Sequence, residues 1–467
     1  MTQVLIALGS NMGDRLKCLE QGVHQVNSLP NTAVVNSSSL YSSAPAYDHL
    51  SGDHYLNCAI DVRTTIPVEE LWTRLSGIEE SMGPKDGRNA PRYLDLDIVY
   101  YGDMVYRSPI LTIPHMRVHE RFFVLRPLLD IAEDFVDPKR VKTIRELYAD
   151  LEEKAQTDEL LKVFHLDQPV VRVFPLGSGS KLQLVQSFEP TVFVGILNVT
   201  SDSFSDGGSL LDDNGILDPV SLIGKATDLI RGGASILDVG AESTRPKADP
   251  VDSRTQLRRV VPALTLLRAV FPKVLLSLDS RDPVTVEFCY NEGLVDLVND
   301  TSGLDHDSGL PELVSHFTGI SVIVIHARGV PKTMDSKILY DDVATDVARE
   351  LNIVLSRWLA AGVPRWRLIA DFGFGFAKTV SQNRDIIASL DQVAASLPTG
   401  VPCMLGYSRK RFTRADLPKD AWTAADEAGK ELFVQLKSRG IDQRALAFNR
   451  VHSMSLYEEF VVSNHCA

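Results

Sequence analysis

The 467-residue chain is 44% hydrophobic and 23% charged, the make-up of a soluble globular protein of two or three domains, and this excludes bulk disorder. Its apolar runs, Val4 to Leu8 among them, fall far short of the ~18 residues a membrane span needs. The net charge of −13 is evenly spread, with 17 basic against 24 acidic residues over 1–165 and 31 against 37 after that, so no basic half is available for nucleic acid.

MTQVLIALGSN runs straight into a strand pattern at 4–8 with no leader-like segment. The five cysteines (Cys18, Cys58, Cys289, Cys403, Cys466) are scattered, odd in number and never spaced C-x-x-C. Both features point to the cytoplasm and to a chain without a disulfide frame. A helix follows near 14–29, then a strand over AVVNSSSLYSS (33–43) and another over YLNCAIDVRT (55–64). Next come a helix opening at Pro67, a strand over YLDLDIVYYG (93–102) and a helix over ERFFVLRPLLDIA (120–132). Residues 1–160 therefore read as an α+β domain. Residues 161–187 read as a linker, with a β-hairpin from Pro169 to Gln186 around PLGSGSK.

From 188 to 467 the rhythm turns regular. Eight apolar strands alternate with amphipathic helices: TVFVGILNVT, SILDVGAEST, VLLSLDS, LVDLVND, ISVIVIHA, RLIADFGFG, PCMLGYS and ALAFNRVH. Eight such units predict a closed (β/α)8 TIM barrel. The rival, an open doubly wound sheet, would want a G-x-G-x-x-G turn that is absent after the first strand. Every strand ends in polar residues: Asn198, Asp238, Asp279, Asn299 with Asp300, His326, Asp371, Ser408 with Lys410, and Arg450 with His452. A barrel brings all these ends to one face, where active sites form.

Asp95 and Asp97 stand at i and i+2 in YLDLDIVYY. At ~3.3 Å per residue they share one face about 7 Å apart, while Leu94, Leu96 and Ile98 turn inward. Such a pair can hold Mg²⁺ against nucleotide phosphates, or it can be an acidic outer face. Arg88 and Arg92 upstream and His115, Arg117 and Arg121 downstream supply the cations that phosphates require.

GSN at 9–11, YSSAP at 41–45, YLN at 55–57, PRYLDLDI at 91–98 and PH at 114–115 with Arg121 and Phe123 resemble 6-hydroxymethyl-7,8-dihydropterin pyrophosphokinase. That resemblance implies a ferredoxin-like fold and transfer of pyrophosphate from ATP to 6-hydroxymethyl-7,8-dihydropterin. It makes Asp95 and Asp97 the Mg²⁺ ligands. It also makes Arg88, Arg92, Thr112, His115 and Arg121 the ATP-binding set, with Arg92, His115 and Arg121 catalytic beside the two aspartates. Tyr55 and Phe123 would sandwich the pterin, with Ser43 and Asn57 beside it. Departures from the family pattern are Ser43, Pro84, Asn89-Ala90 and Phe122.

GILNVTSDSFSDGG (195–208), DVGAESTRP (238–246), LSLDS (276–280), VND (298–300), HARGVPKTM (326–334), DFGFGFAK (371–378), GYSRK (406–410) and RVH (450–452) resemble dihydropteroate synthase. That family condenses the pterin pyrophosphate with p-aminobenzoate and releases pyrophosphate. The resemblance implies Asp279, Asn299, Asp371 and a catalytic Lys410 around the pterin. It assigns Thr244, Phe376 and Ser408 to p-aminobenzoate, and Asn198 (also a Mg²⁺ ligand), Arg245, Arg450 and His452 to pyrophosphate. It implies a homodimer through the barrel domain as well. Ser201, Ala241, Ala327-Arg328, Phe372, Ala377, Gly429-Lys430 and Ser453 depart from the family. Of these, Ala327 would remove an apolar wall from the pterin pocket and Arg328 would add a cation beside it, altering substrate or sulfonamide affinity. The positive-φ glycines expected in loops over the site are Gly207, Gly208, Gly373 and Gly375. Two other readings stay open at this point: a pterin-dependent methyltransferase barrel, and a chain in which one half is a non-catalytic scaffold.

Overall fold

The computed structural model describes residues 1–45, 53–84, 90–157, 170–200, 210–212, 215–243, 248–304, 309–413 and 422–461. They form two compact units. One is Met1–Pro175 with Val314–Gly319 and Arg357–Arg367, and the other holds the remainder. Among the described residues, no helix is long and apolar enough to cross a membrane.

The first unit follows a βαββαβ order whose second strand is split in two. It runs β1 (Thr2–Ser10), α1 (Arg15–Asn27), β2 (Thr32–Ser37), β3 (Leu40–Ser43), β4 (Tyr55–Thr64), α2 (Val68–Met82) and β5 (Asp95–Tyr101). The antiparallel sheet has the order β3-β4-β1-β5, with β2 also on β4. That is the ferredoxin-like arrangement expected. The single strand expected over 33–43 is instead two, broken at the buried Ser38 and Ser39. There the side chains take over from the ladder: Ser38 Oγ accepts from Ala59 N at 2.9 Å, and Ser39 N donates to Asp130 Oδ2 at 2.9 Å. Such local serine bonds compete with regular pairing, which propensity alone does not register.

Short pairs β6 (Tyr106–Arg107) with β7 (Thr112–Ile113) and β8 (Val136–Asp137) with β9 (Lys142–Thr143) flank α3 (Phe122–Ala132), and α4 (Ile144–Thr157) follows. Leu5 of β1, Ala59 of β4 and Val99 of β5 pack against Leu125 and Leu128 of α3 and Leu147 and Leu151 of α4. Side chains alternate along a strand. The odd-numbered residues of β1 and β4 that meet these helices therefore continue, farther along, into Gly9, Asn57 and Tyr55. The expected hairpin segment contributes β10 (Val171–Leu176), which pairs antiparallel with β3, and is followed by β11 (Gln183–Val185).

In the second unit all eight expected strands are present. They are β12 (Val192–Asn198), β13 (Ile236–Gly240), β14 (Leu275–Asp279), β15 (Leu297–Asp300), β16 (Ser321–Ile325), β17 (Leu368–Asp371), β18 (Cys403–Leu405) and β19 (Phe448–Val451). Each pairs in parallel with the next, and β19 pairs with β12 to close the barrel. The strands are almost wholly buried because helices cover the outside. Several of those helices start behind an acceptor side chain: Asp218 takes Val220 N, Asp252 takes Thr255 N, Asp282 takes Thr285 N, and Thr379 with Gln382 makes a capping box.

Candidate active sites

In the first unit, register builds the site. Gly9 of β1 lies opposite Asn57 of β4 on one side and Asp95 of β5 on the other, and Ala7 lies between Ala59 and Asp97. The row Asn57–Gly9–Asp95 therefore crosses three strands on one face. Gly9 keeps the middle open, since a Cβ there would stand 3.5 Å from Asn57 Oδ1 and 3.7 Å from the Tyr55 ring. Asn57 Nδ2 donates to Ser43 Oγ at 2.9 Å, which fixes the amide and turns Oδ1 over Gly9.

Asp95 and Asp97 are partly exposed while Leu96 and Ile98 are buried, the alternation read from YLDLDIVYY. Arg92 Nη1 pairs with Asp95 Oδ1, and His115 Nε2 lies 3.8 Å from Asp97 Oδ2. The Asp97 side chain keeps access to solvent. The protein packed around it, and next the Asp95 carboxylate, nonetheless push its carboxyl above the usual range. Desolvation, then the nearby Arg121, lowers His115 to about 4, so its imidazole is neutral at pH 7. Arg121 immediately precedes α3, its guanidinium 5.5 Å from the centre of the Phe123 ring. Thr112 sits on β7, and Arg88 lies outside the described residues. Asn11 is a contributor that sequence reasoning left without a role. It accepts from Arg92 N at 2.8 Å and its own N donates to Arg92 O at 3.1 Å, so it holds the backbone from which Arg92 reaches Asp95.

Among the described residues no three His, Cys, Asp or Glu side chains gather as a metal cage. Two carboxylates on one strand face suit a hard cation whose other ligands are phosphate oxygens and water.

In the barrel, the strand ends converge as expected. Arg450 Nη2 lies 2.6 Å from Asp238 Oδ2 and also pairs with Asp279 Oδ2, while Asn299 Nδ2 donates to Asp238 Oδ2 at 3.0 Å. Four strands thus supply one buried group. Asp238 Oδ1, Asn299 Oδ1 and Arg450 Nε are buried without a hydrogen-bond partner among the described residues. Buried polar atoms are rarely left so unless a ligand or water completes them. Burial raises the Asp279 carboxyl although Arg450 opposes it. For Arg450, burial works against the charge, but Asp238 and then Asp279 hold its pKa above normal.

Asp371 ends β17, and its Oδ1 accepts from Gly373 N at 2.8 Å. Its Oδ2 stands over Gly406, where a Cβ would come within 3.2 Å. Burial raises this carboxyl too. Gly373 and Gly375 have φ of +66° and +79°, the left-handed values expected of them. Lys410 Nζ faces the Phe376 ring at 4.6 Å. The basic run SRKR divides its work: Arg409, at φ +56°, is held by both oxygens of Asp426 at 2.9 and 2.8 Å, and the turn so fixed carries Ser408 and Lys410. Ser408 Oγ lies 3.1 Å from His452 Nδ1, which joins a residue expected at p-aminobenzoate to one expected at pyrophosphate. Asn198 ends β12. Thr244, Arg245, Ser201, Gly207 and Gly208 lie outside the described residues.

The cation expected beside the pterin pocket from Arg328 is already engaged. Its guanidinium pairs with Glu350 and lies 3.7 Å from the centre of the Tyr340 ring. Ala327 packs with Ile325, Met334, Phe376 and Ala377. Sequence reasoning gave no role to Asp238, Glu350 or Lys378. Asp238 stood in view as a strand-ending aspartate and Lys378 as the last residue of DFGFGFAK, but neither pattern says what the side chain meets.

A ferredoxin-like unit with two carboxylates on one open strand face, joined in one chain to a barrel with polar strand ends, is the arrangement of a protein with two sites. Residues 5–133 match the 7,8-dihydro-6-hydroxymethylpterin-pyrophosphokinase family, and residues 194–443 match the pterin binding enzyme family. The chain is 35% identical over 424 residues to the mitochondrial folate synthesis bifunctional protein of Arabidopsis thaliana, covering 88% of this chain and 74% of that one. It is 33% identical over 427 residues to the folic acid synthesis protein fol1 of Pneumocystis carinii, covering 89% of this chain but only 54% of that longer protein. In fold it resembles the Plasmodium falciparum HPPK-DHPS crystallised with pteroate, with a TM-score of 0.74 at 21% identity, covering 98% of this chain and 96% of that chain. The chain belongs to the bifunctional folate-synthesis family, which joins a hydroxymethyldihydropterin pyrophosphokinase to a dihydropteroate synthase.

Proposed function

We propose that the site residues divide the family's two reactions as follows. In the first unit, Tyr55 and Phe123 flank the flat pterin ring of 6-hydroxymethyl-7,8-dihydropterin, and Asn57 presents Oδ1 to its edge. Arg92, His115 and Arg121 receive the ATP phosphates. The neutral resting state of His115 lets it donate a hydrogen bond without adding a charge before ATP arrives. Asp95 and Asp97 would hold Mg²⁺, which supplies charge neutralisation at the transferring phosphates.

In the barrel, Asp279, Asn299 and Asp371 meet the donor and acceptor edge of the pterin, with Lys410 beside them. Asn299 gives one Nδ2–H to Asp238, which turns its buried, unpartnered Oδ1 into an acceptor for an N–H of the pterin. Departure of pyrophosphate leaves the pterin methylene carbon open to the amine of p-aminobenzoate. That amine loses its proton to the medium or to the departing anion, and no protein nucleophile is required. His452, Arg450, Arg245 and Asn198 receive the pyrophosphate, Asn198 beside a second Mg²⁺. Phe376, Ser408 and Thr244 bound the p-aminobenzoate. A cytoplasmic homodimer joined through the barrel completes the proposal, and sedimentation of the purified chain tests the dimer.

The observation that carries this reading is the buried Asp238–Arg450–Asp279–Asn299 group with its unpartnered polar atoms. Its test supplies D97A with pterin pyrophosphate and p-aminobenzoate, and K410A with ATP and hydroxymethyl-dihydropterin. Each variant should retain only the half-reaction of its intact site. Two active half-reactions in both variants would overturn the assignment.

A further inference from the structure

Lys378 follows β17 and has no part in the chemistry above, yet it is closely bonded to the groups around it. Its Nζ lies 2.8 Å from His326 Nδ1, 2.8 Å from Gly373 O and 3.0 Å from Phe376 O. An ammonium has three protons to give, and three acceptors lie close to it, with His326 O farther away at 3.5 Å. The Glu350 carboxylate can only accept, so the imidazole proton sits on Nε2, which donates to Glu350 Oε2 at 3.0 Å, and Nδ1 accepts from Lys378. Glu350 is held in turn by Arg328, Arg328 faces Tyr340, and Tyr340 Oη donates to Ala377 O at 3.1 Å. The bonds thus run from the end of β16, through the helix Val343–Ala360, and back to the loop after β17.

That loop would not hold its shape unaided. Gly373 lies so close to His326 O that any Cβ would clash, and Ala377 sits at φ +48°, where a residue with a side chain rarely stays. The loop carries Phe376, whose ring faces Lys410. Asp371, at its other end, is held by the sheet beside Ile325 and Met404, and its Oδ1 accepts from Gly373 N of the loop. Of the other pterin partners, Asp279 on β14 and Asn299 on β15 bond to Arg450 and Asp238, while Lys410 meets the loop through the Phe376 ring.

We infer that Lys378 is a positioning residue for p-aminobenzoate. By binding His326, Gly373 and Phe376 at once, it holds the 373–377 loop so that Phe376 forms a wall of the amine-substrate pocket. The inference rests on the reading of Phe376 as part of that pocket. His326, Asp371, Glu350, Arg328 and Lys410 all face Lys378, and burial outweighs the carboxylates among them to lower its pKa to about 7. As pH rises through that value one of the three donors is lost, and the loop loosens.

The test uses the full chain supplied with pterin pyrophosphate and compares wild type, K378M and F376A. The expected result for K378M is a KM for p-aminobenzoate raised about tenfold, as for loss of charge-assisted hydrogen bonds, with the KM for pterin pyrophosphate within about threefold. Wild-type KM for p-aminobenzoate should climb between about pH 7 and about pH 9, and K378M should not show that climb. A folded K378M with wild-type KM for p-aminobenzoate overturns the inference, and if F376A still raises that KM the pocket reading survives it. Wild-type KM in F376A overturns the pocket reading and this inference with it. If K378M does not fold, the wild-type pH profile decides, a flat KM overturning the inference and a climb supporting it.

Discussion

Asp238 shows how much one side chain can organise. Its Oδ2 meets both the Arg450 guanidinium and the Asn299 amide, so it sets the charge balance of the pocket and the direction of an amide that would otherwise be free to flip. In D238N the new amide can no longer neutralise Arg450 and can itself offer N–H to Asn299, so Asn299 loses its enforced orientation. The expected outcome is a barrel destabilised by ~1–3 kcal/mol. A rise of about ten- to a hundredfold in KM for pterin pyrophosphate should accompany it, with the pyrophosphokinase half unchanged. Denaturant unfolding and the two half-assays check it. In the first unit, D97N should lower pyrophosphokinase kcat by about a thousandfold, because an amide is a poor ligand for a hard cation. The residue types at these sites were legible in the sequence, since carboxylates and amides at strand ends advertise a polar face. Their partners were not. Asp238 and Arg450 are 212 positions apart, and only closure of the barrel makes them neighbours.

Elements were read well where period and length agreed, as in the eight barrel strands and the alternation of β5. They were read less well where side chains replace backbone pairing, as at Ser38–Ser39, or where a turn departs from its usual residue, as at Ala377. The second case is open to measurement. A residue with a Cβ in the left-handed region costs ~1–2 kcal/mol, partly offset by the greater freedom of glycine in the unfolded chain. A377G should therefore raise barrel stability by ~0.5–1 kcal/mol, seen as a higher Tm. The loop neighbour His326 makes a pH-dependent contribution. Burial, then Lys378, lowers it to about 4, below the value near 6.5 of an unfolded histidine. Between those two values the unfolded chain binds more protons at this histidine, so its contribution to barrel stability should fall as pH drops from about 6.5 towards about 4, while the raised carboxyls of Asp279 and Asp371 contribute in the opposite direction. The difference between wild type and H326Q in urea unfolding followed across the range should carry that slope.

At the scale of the whole molecule, the sequence carried both halves through their motifs. What it did not carry was where one folding unit stops. The charged stretch after 150 reads as an exit from the first domain, because composition registers solvation and not pairing. The backbone ladder of β3 continues into β10, far beyond that stretch. Shortening the chain therefore has a definite consequence. A fragment ending at residue 160 would bare the outer N–H and C=O groups of residues 40–42, leaving a row of unpaired donors and acceptors on which a second fragment could register. Such a protein should form oligomers that light scattering detects, whereas one carried past β10 brings its own strand to cover that seam.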